Sequence, residues 1–261
     1  MSTANYALPL LSRRFWPIWQ RNFLVWKKLA GASLLGNVAD PLITLIAFGY
    51  GLGSLLQSID GIPYIHYLAS GSICMSIMMA ASFEALYSAF SRMHVQRSWD
   101  ALLNAPLSLD DVLLAEMLWA ATKSLFSGVA ILGVMFALGI GLHPHTLLVL
   151  PLLFVIGMMF ASLGLVVNAL AQNYDFFTYY FTLVLTPMIF LSGVYYPTAQ
   201  LPHWLQLLAQ VLPLHAAVQL VRPLILGDWP AAPALHLATL ATYCLGGFYL
   251  ATVLTRRRLL K

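Results

Sequence analysis

Long apolar runs separated by short polar segments make up most of this chain. A helix needs about 20 mostly apolar residues to cross the hydrocarbon core of a bilayer, so each run of that length predicts a membrane span. The runs that qualify lie at residues 34–56, 64–90, 112–140, 146–171, 176–194 and 235–254. The pattern therefore predicts an all-α polytopic membrane protein with six transmembrane helices.

The composition agrees with this pattern and excludes the soluble classes of protein. Of the 261 residues, 61% are apolar and only 8% are charged, whereas charged residues make up roughly 25% of a soluble domain. The net charge of +4 does not indicate nucleic-acid binding, because the basic residues lie in short clusters between uncharged runs. Cys74 and Cys244 lie inside apolar runs and form neither a disulfide framework nor a metal-ligand pattern.

The basic clusters predict the orientation of the chain. Lys and Arg are enriched on the cytoplasmic side of membrane proteins, and eleven of the 13 basic residues flank the predicted spans on one side. They are Arg13, Arg14, Arg21, Lys27, Lys28, Arg92, Arg97, Arg256, Arg257, Arg258 and Lys261. We therefore expect both termini in the cytoplasm.

Residues 1–33 mix Trp and Phe with basic residues and contain neither an uninterrupted apolar core nor a small-residue cleavage site. This mixture is typical of a helix at the membrane interface, with rings at headgroup depth and basic groups facing anionic lipid. The predicted organisation is a cytoplasmic interfacial amphipathic helix at 1–33, followed by one transmembrane domain at 34–261.

A short amphipathic helix is predicted in the cytoplasmic connection between spans two and three. Trp99, Leu102 and Leu103 follow the i, i+3, i+4 spacing of one helix face. That apolar edge suits either the membrane surface or a groove on a partner, and an ordinary interfacial loop helix is the alternative. Ser108 and Asp111 then match an N-cap with an acidic third position, which opens span three.

The connection between spans five and six, at residues 195–234, is long, apolar and rich in proline. Its helix-compatible stretches at 204–212 and 216–221 are too short to cross a membrane, and Pro213 separates them. Backbone groups freed at such a break must be buried in protein or line a wet cavity. We therefore expect two re-entrant half-helices in the outer leaflet.

Three ionisable residues, Glu84, Glu116 and Lys123, lie inside predicted spans, where such residues are functional candidates by default. Glu116 and Lys123 are seven residues apart and share one helix face, and the antiparallel pairing of spans two and three brings Glu84 to the same depth. We expect one cluster that acts as a static ion pair, contacts a polar headgroup, or couples protons.

An aromatic group opens span five and consists of Phe176, Phe177, Tyr179, Tyr180 and Phe181, of which the first four are the candidates for a substrate path. Rings at a membrane edge commonly form an interfacial belt. The alternative is that some of them line a substrate path and stack on sugar or acyl groups. Because the group covers more than one turn, at least one ring must face inward. The histidines of the outer connections lack acidic or cysteine partners nearby, so no metal site is predicted.

Short motifs recur in a fixed order along these connections. They are Arg92-Met93, Gln96-Arg97 and Trp99, then Leu109-Asp110-Asp111-Val112-Leu113, Glu116-Met117-Leu118-Trp119-Ala120-Ala121-Thr122-Lys123, Leu191-Ser192-Gly193-Val194-Tyr195-Tyr196-Pro197, Leu201-Pro202, Leu212-Pro213-Leu214-His215 and Val221-Arg222-Pro223-Leu224. In this order the chain resembles the permeases of ABC-2 type exporters, specifically their NodJ-like branch. The resemblance covers nearly the whole chain.

The resemblance implies the membrane subunit of an ATP-driven exporter in a bacterial inner membrane. Two copies of this chain would pair with two copies of a separate ABC ATPase, which holds the ATP and Mg²⁺. The complex would export a lipid-linked or amphipathic molecule such as a lipo-oligosaccharide, a polysaccharide or a drug. The chain has no Gly-x-x-x-x-Gly-Lys-Ser/Thr phosphate loop. We therefore expect no catalytic residue and no cofactor bound by this chain, and no nucleic-acid partner.

The resemblance also suggests roles for particular residues. Coupling to the ATPase is expected of Arg97, Trp99, Asp100, Leu102 and Leu103. An external gate is expected of Tyr195, Tyr196, Pro197, Leu205, Pro213, Val218 and Arg222. Two other classes are considered: an ion-coupled carrier would use the charges at 84, 116 and 123, and a membrane enzyme would need catalytic residues converging at one depth, a pattern that the sequence lacks.

Overall fold

The computed structural model describes residues 6–56, 58–59 and 61–259, with the side chains of these residues except at positions 32, 34, 37, 38, 40 and 41. The helices in this part of the chain are α1 (Phe15–Lys27), α2 (Ala30–Gly51), α3 (Gly53–Leu56), α4 (Tyr64–Phe83), α5 (Ser98–Leu103), α6 (Leu109–Ala137), α7 (Val149–Leu170), α8 (Asp175–Tyr180), α9 (Thr186–Leu191), α10 (His203–Val211), α11 (Pro213–Leu226) and α12 (Pro233–Leu259). A short antiparallel ribbon of β1 (Ser58–Ile59) and β2 (Ile62–Pro63) precedes α4. Lys261 lies outside the described residues.

Four helical segments of the described chain are long and apolar enough to cross a membrane. They are Tyr64–Val95, Leu109–Ala137, Pro144–Leu170 and Pro233–Leu259. The pair of α10 and α11 would add a fifth if it forms one span. The regions predicted as spans one and five contain the shorter apolar helices Leu42–Gly51 and Asp175–Leu191. The chain is a multi-pass helical membrane protein, and the count of six spans stays a prediction.

The second span is longer than the sequence predicts. Instead of ending at Phe90, the helix continues to Val95 through two π-helical turns, Glu84–Ser88 and Ser91–Val95. Turns of this kind often occur at functional sites. The extension carries Arg92 into the helix, which corrects its expected place in the connecting loop.

Helices α4, α6 and α7 form the centre of the bundle, and α12 packs along α7. Small residues allow the close approach of these helices. A Cβ on Gly157 of α7 would lie 2.5 Å from the Ser124 Oγ of α6, and one on Gly164 would lie 2.8 Å from the Ala85 Cβ. In lipid, helices associate through such close packing, because burying apolar surface supplies little driving force there.

Helix α6 begins with the predicted cap. The Ser108 Oγ accepts a hydrogen bond from the Asp111 N–H at 3.1 Å, and the Asp111 carboxylate accepts one from the Ser108 N–H at 3.3 Å. This capping box satisfies N–H groups that the first turn leaves without a helical partner. The predicted N-cap is therefore confirmed.

Both ends of the described chain meet at the start of α6. Arg256 donates to the two Asp110 carboxylate oxygens at 3.0 and 2.5 Å, and to the Ala7 carbonyl at 2.6 Å. The Leu10 N–H donates to the same carboxylate at 2.9 Å. We call these four residues the terminal clasp. The clasp places the N-terminal segment and the end of α12 at one end of the bundle, and its cytoplasmic location stays a prediction.

Helices α10 and α11 are separated by a bend of 83° at Pro213. Pro213 occupies the first position of α11, where its missing N–H breaks no helical hydrogen bond. Helix α11 packs against α4 and α12 and is mostly buried, whereas α10 exposes Trp204 and Val211. The break lies where the sequence predicts it, and a re-entrant path for the pair stays a prediction.

Candidate functional site

An ion-pair network joins Tyr64–Val95 to Leu109–Ala137, which correspond to predicted spans two and three. The Lys123 Nζ lies 2.6 Å from the Glu84 Oε2. The Arg92 guanidinium lies 2.9 Å from the Glu84 Oε1 and binds the Glu116 carboxylate through two bonds of 2.9 and 2.5 Å. Paired bonds of this geometry are the strong form of the arginine–carboxylate contact. We call Glu84, Arg92, Glu116 and Lys123 the charge network.

Two tryptophans complete the coordination of the carboxylates. The Trp119 Nε1 donates to the Glu84 Oε1 at 2.9 Å, and the Trp99 Nε1 donates to the Glu116 Oε1 at 3.3 Å. Both rings and both carboxylates are buried. Since an uncompensated buried charge costs several kcal/mol, these donors add to the compensation that Arg92 and Lys123 provide.

The structure brings the three predicted intramembrane charges together and adds Arg92. Among the described side chains, the ion pairs run from Lys123 to Glu84, then through Arg92 to Glu116. Arg92 could have been found by continuing the apolar spacing past Phe90 to Met93, which is buried. A helix extended in this way carries Arg92 on the same span as Glu84, where its side chain reaches that carboxylate.

The short helix α5 is attached to the bundle by its apolar edge. Trp99 is buried, and Leu102 and Leu103 are partly buried against the core. The expectation that this edge faces the membrane or a partner is corrected, because the edge packs against the core of the same chain and Trp99 reaches Glu116. Arg97 and Asp100 are exposed instead. The role of α5 in ATPase coupling stays a prediction.

The chain turns sharply just before α5. Arg97 has a φ of 47°, a left-handed conformation that costs an L residue roughly 1–2 kcal/mol. The Ser98 Oγ donates to the Arg92 carbonyl at 3.0 Å and holds the turn closed. This turn directs α5 back under the second span, which is what allows Trp99 to reach Glu116.

The N-terminal helix α1 contacts the same region through aromatic rings. Trp19, Phe23 and Trp26 pack against Trp119 with centroids 6.0 to 6.4 Å apart. Trp26 also stacks on Phe126 at 4.9 Å. Continuous contact therefore runs from α5 through the charge network and Trp119 to α1. The position of α1 at a membrane interface stays a prediction.

Arg222 forms a second cluster toward the other end of α4. Its guanidinium donates to the Gly193 carbonyl at 2.7 Å and to the Ser70 Oγ at 3.0 Å. It also lies 3.7 Å from the centroid of the Tyr67 ring. We call these four residues the outer cluster. The cluster ties α4, the turn after α9 and α11 together through neutral groups.

The predicted substrate-path rings lie in different surroundings. Phe177 is buried, with centroids 5.2 Å from Tyr87 and from Phe90. Tyr180 is partly buried, whereas Phe176 and Tyr179 are exposed. One ring of the group therefore packs inward onto the second span, and two lie on the outside of the described chain. A substrate path along these rings stays a prediction.

The predicted gate residues lie on three consecutive elements. Tyr195, Tyr196 and Pro197 are partly buried in the turn after α9, Leu205 is partly buried on α10, and Pro213, Val218 and Arg222 belong to α11. Pro213 and Val218 are buried within the described chain. Their role in a gate stays a prediction.

This arrangement of apolar helices and buried charges is that of a multi-pass helical membrane protein. The chain belongs to the ABC-2 type transporter family, which it matches over residues 13–226. It is 46% identical over 255 residues to "Nodulation protein J" of Rhizobium leguminosarum bv. trifolii, covering 98% of this chain and 97% of the relative. It is 42% identical over 254 residues to the protein of the same name from Rhizobium meliloti strain 1021, with 97% of each chain covered. A more distant relative is "Inner membrane transport permease YadH" of Escherichia coli strain K12, 25% identical over 198 residues, or 76% of this chain and 77% of the relative.

Proposed function

We propose that this chain is the membrane subunit of an ATP-driven exporter that moves a lipid-linked or amphipathic molecule outward from the inner leaflet. The observation that carries the proposal is the continuous contact from α5 through the charge network to α1. A connected body of this kind can transmit a displacement applied at α5 to two spans at once. In this proposal the displacement comes from a separate ATPase subunit, in line with the lack of a phosphate loop in this sequence.

The proposed complex contains two copies of this chain and two copies of an ABC ATPase. Membership of the ABC-2 type transporter family supports the pairing with an ATPase. The exposed side of α5, with Arg97, Asp100 and Ala101, offers the ATPase a surface on the opposite side from the buried edge. Closure of the two ATPases would push α5, and Trp99 would carry that push to Glu116.

The proposed cargo enters from the inner leaflet between the first span of one protomer and the fifth span of the other. The bent pair of α10 and α11 then forms the external gate. A lipo-oligosaccharide or a polysaccharide is the proposed cargo class, in line with the NodJ-like motifs. The outer cluster supports a gating role for this region, because Arg222 fixes α11 to both α4 and the turn after α9.

Co-purification with candidate ATPases tests the proposal. The ABC ATPase that serves this chain should co-purify with it, and in nanodiscs its ATP hydrolysis should depend on this chain. Outward transport in vesicles should require ATP and stop when the catalytic glutamate of the ATPase is replaced. Transport by this chain alone, driven by an ion gradient, would instead establish the carrier alternative.

A further inference from the structure

A cavity of about 480 Å³ opens between α1, α2 and the helical segments Tyr64–Val95 and Leu109–Ala137. Its walls combine the basic groups of Arg21, Arg92 and Lys123 with the apolar side chains of Val25 and Leu29. This volume lies within the range of small-molecule sites in proteins. A wall of this mixed character suits a charged group that is attached to an apolar chain.

Basic groups at this cavity exceed the acidic groups that could neutralise them. Glu84 lines the cavity, but both of its oxygens are already bound, by Arg92 and Lys123. Arg21, in contrast, donates to the Asn22 Oδ1 at 2.9 and 3.3 Å. Within the described part of the chain, Arg21 makes no ion pair with a carboxylate. The cavity therefore has a surplus positive charge at Arg21.

The surroundings of Arg21 and Asn22 indicate unused hydrogen-bonding capacity. Burial lowers the pKa of the Arg21 guanidinium, while Glu116 opposes this shift and Arg92 adds to it. Asn22 is only 5% exposed and forms part of the cavity wall, and its Nδ2 has no hydrogen-bond partner among the described residues. A buried donor without an acceptor costs about 1–3 kcal/mol. A ligand that is rich in acceptors would offset this cost.

We propose that this cavity binds the net-anionic, phosphate-bearing headgroup of an amphipathic molecule in the adjacent leaflet. Arg21 and Asn22 act as donors to the phosphate oxygens, and Val25 and Leu29 lie beside the apolar chain. Phosphate oxygens match the forked geometry of a guanidinium. The binding requires neither an ATPase nor transport, so it goes beyond the proposed export function and is tested separately from it.

Native mass spectrometry of the full chain in a neutral detergent tests the proposal. Phosphatidylglycerol should remain bound at lower concentration than phosphatidylcholine, whose headgroup carries no net charge. Arg21→Gln should weaken phosphatidylglycerol binding about tenfold, and Arg21→Lys should recover part of the loss. Lys27→Gln is the matched control, because Lys27 is an exposed cation of the same helix, and it should bind as the wild type does. Equal binding of the two lipids, or equal losses for Arg21→Gln and Lys27→Gln, would overturn the proposal.

Two further experiments complete the test. The first distinguishes free phosphate from a lipid headgroup as the ligand, and the second distinguishes a loss of binding from a loss of fold. Displacement of phosphatidylglycerol by inorganic phosphate would support a site for the phosphate group itself, and retention of the lipid in excess phosphate would support recognition of the headgroup with its chains. Asn22→Leu should weaken lipid binding, because it removes both the Oδ1 that accepts from Arg21 and the Nδ2 donor that has no described partner. The midpoint of thermal unfolding checks that the variant is folded. Unchanged lipid binding by Asn22→Leu would contradict the assignment.

Discussion

Arg92 holds carboxylates from two different helices with a single guanidinium. It contributes two bonds to Glu116 and one to Glu84, while Lys123 neutralises the remaining Glu84 oxygen. Removing one member of such a set leaves a buried charge without compensation. This destabilises a protein more than replacing the whole ion pair by apolar residues does. At the scale of single residues, Arg92 is therefore the member on which both helices depend.

Replacing Arg92 with Gln should lower the free energy of unfolding by about 3–5 kcal/mol, because both carboxylates lose a cation that the bundle has already desolvated. Thermal unfolding of the purified chain in detergent measures this loss. Arg13→Gln, at an exposed arginine, should leave the midpoint unchanged. If Arg92→Gln melts like Arg13→Gln, the charge network does not stabilise the bundle.

A second residue-scale prediction concerns the close approach at the outer cluster. A Cβ on Gly71 would lie 2.7 Å from the Val194 carbonyl oxygen and 3.0 Å from the Arg222 guanidinium. Gly71→Ala should therefore cost about 1–3 kcal/mol by forcing the turn away from α4. Gly133→Ala, which meets no atom within 4 Å, should be neutral or slightly stabilising. Comparable melting temperatures for the two variants would argue against tight packing there.

At the scale of elements, α5 shows why the amphipathic spacing of a helix does not reveal what its apolar edge packs against. The spacing of Trp99, Leu102 and Leu103 correctly predicts a helix at Ser98–Leu103. It could not show that the apolar edge packs inward, because a groove in the same chain and a groove in a partner favour the same spacing. The predicted span ends at Phe90, whereas two π-helical turns carry the helix on to Val95 and place Arg92 within it.

The exposed side of α5 should determine docking of the ATPase, and the buried edge should determine the fold. We expect Ala101→Arg to abolish co-purification of the ATPase with no change in thermal stability, since Ala101 is exposed. Trp99→Ala should reduce both the co-purification of the ATPase and the thermal stability. The lost buried ring should lower the free energy of unfolding by about 3–5 kcal/mol. Ala231→Arg, an exposed position outside the helices, is the control for added charge. Normal ATPase recovery with Ala101→Arg would exclude this side of α5 as the docking surface.

At the scale of the whole molecule, the apolar pattern predicts the helical class, Pro213 predicts the break, and Ser108 with Asp111 predicts the cap of α6, because these depend on local composition and spacing. The terminal clasp was not predicted. It joins Asp110 to Arg256, which are 146 residues apart, and no local pattern specifies a contact across that separation. Packing of α12 along α7 and of α7 on α6 brings the two residues together.

The clasp should hold the N-terminal segment against the bundle. Asp110→Asn weakens the acceptor for both Arg256 and the Leu10 N–H, so trypsin should cut after Arg14 roughly tenfold faster than in the wild type. Mass spectrometry of timed digests gives the rate. Asp175→Asn, at an exposed carboxylate, should digest like the wild type. An unchanged cutting rate in Asp110→Asn would mean that other contacts hold the segment.

The clasp also sets an order for biosynthesis. Asp110 is made 146 residues before Arg256, an interval of about 7–30 s at ordinary rates of translation. During that time the Asp110 carboxylate and the Ala7 carbonyl lack the Arg256 guanidinium that binds them in the folded chain. The joining of the two ends is therefore a closing event of assembly, completed only after the last helix leaves the ribosome. A nascent chain that stalls before Arg256 would lack the bonds from Arg256 to Asp110 and to the Ala7 carbonyl, so its N-terminal segment would be held only by the remaining contacts with the start of α6.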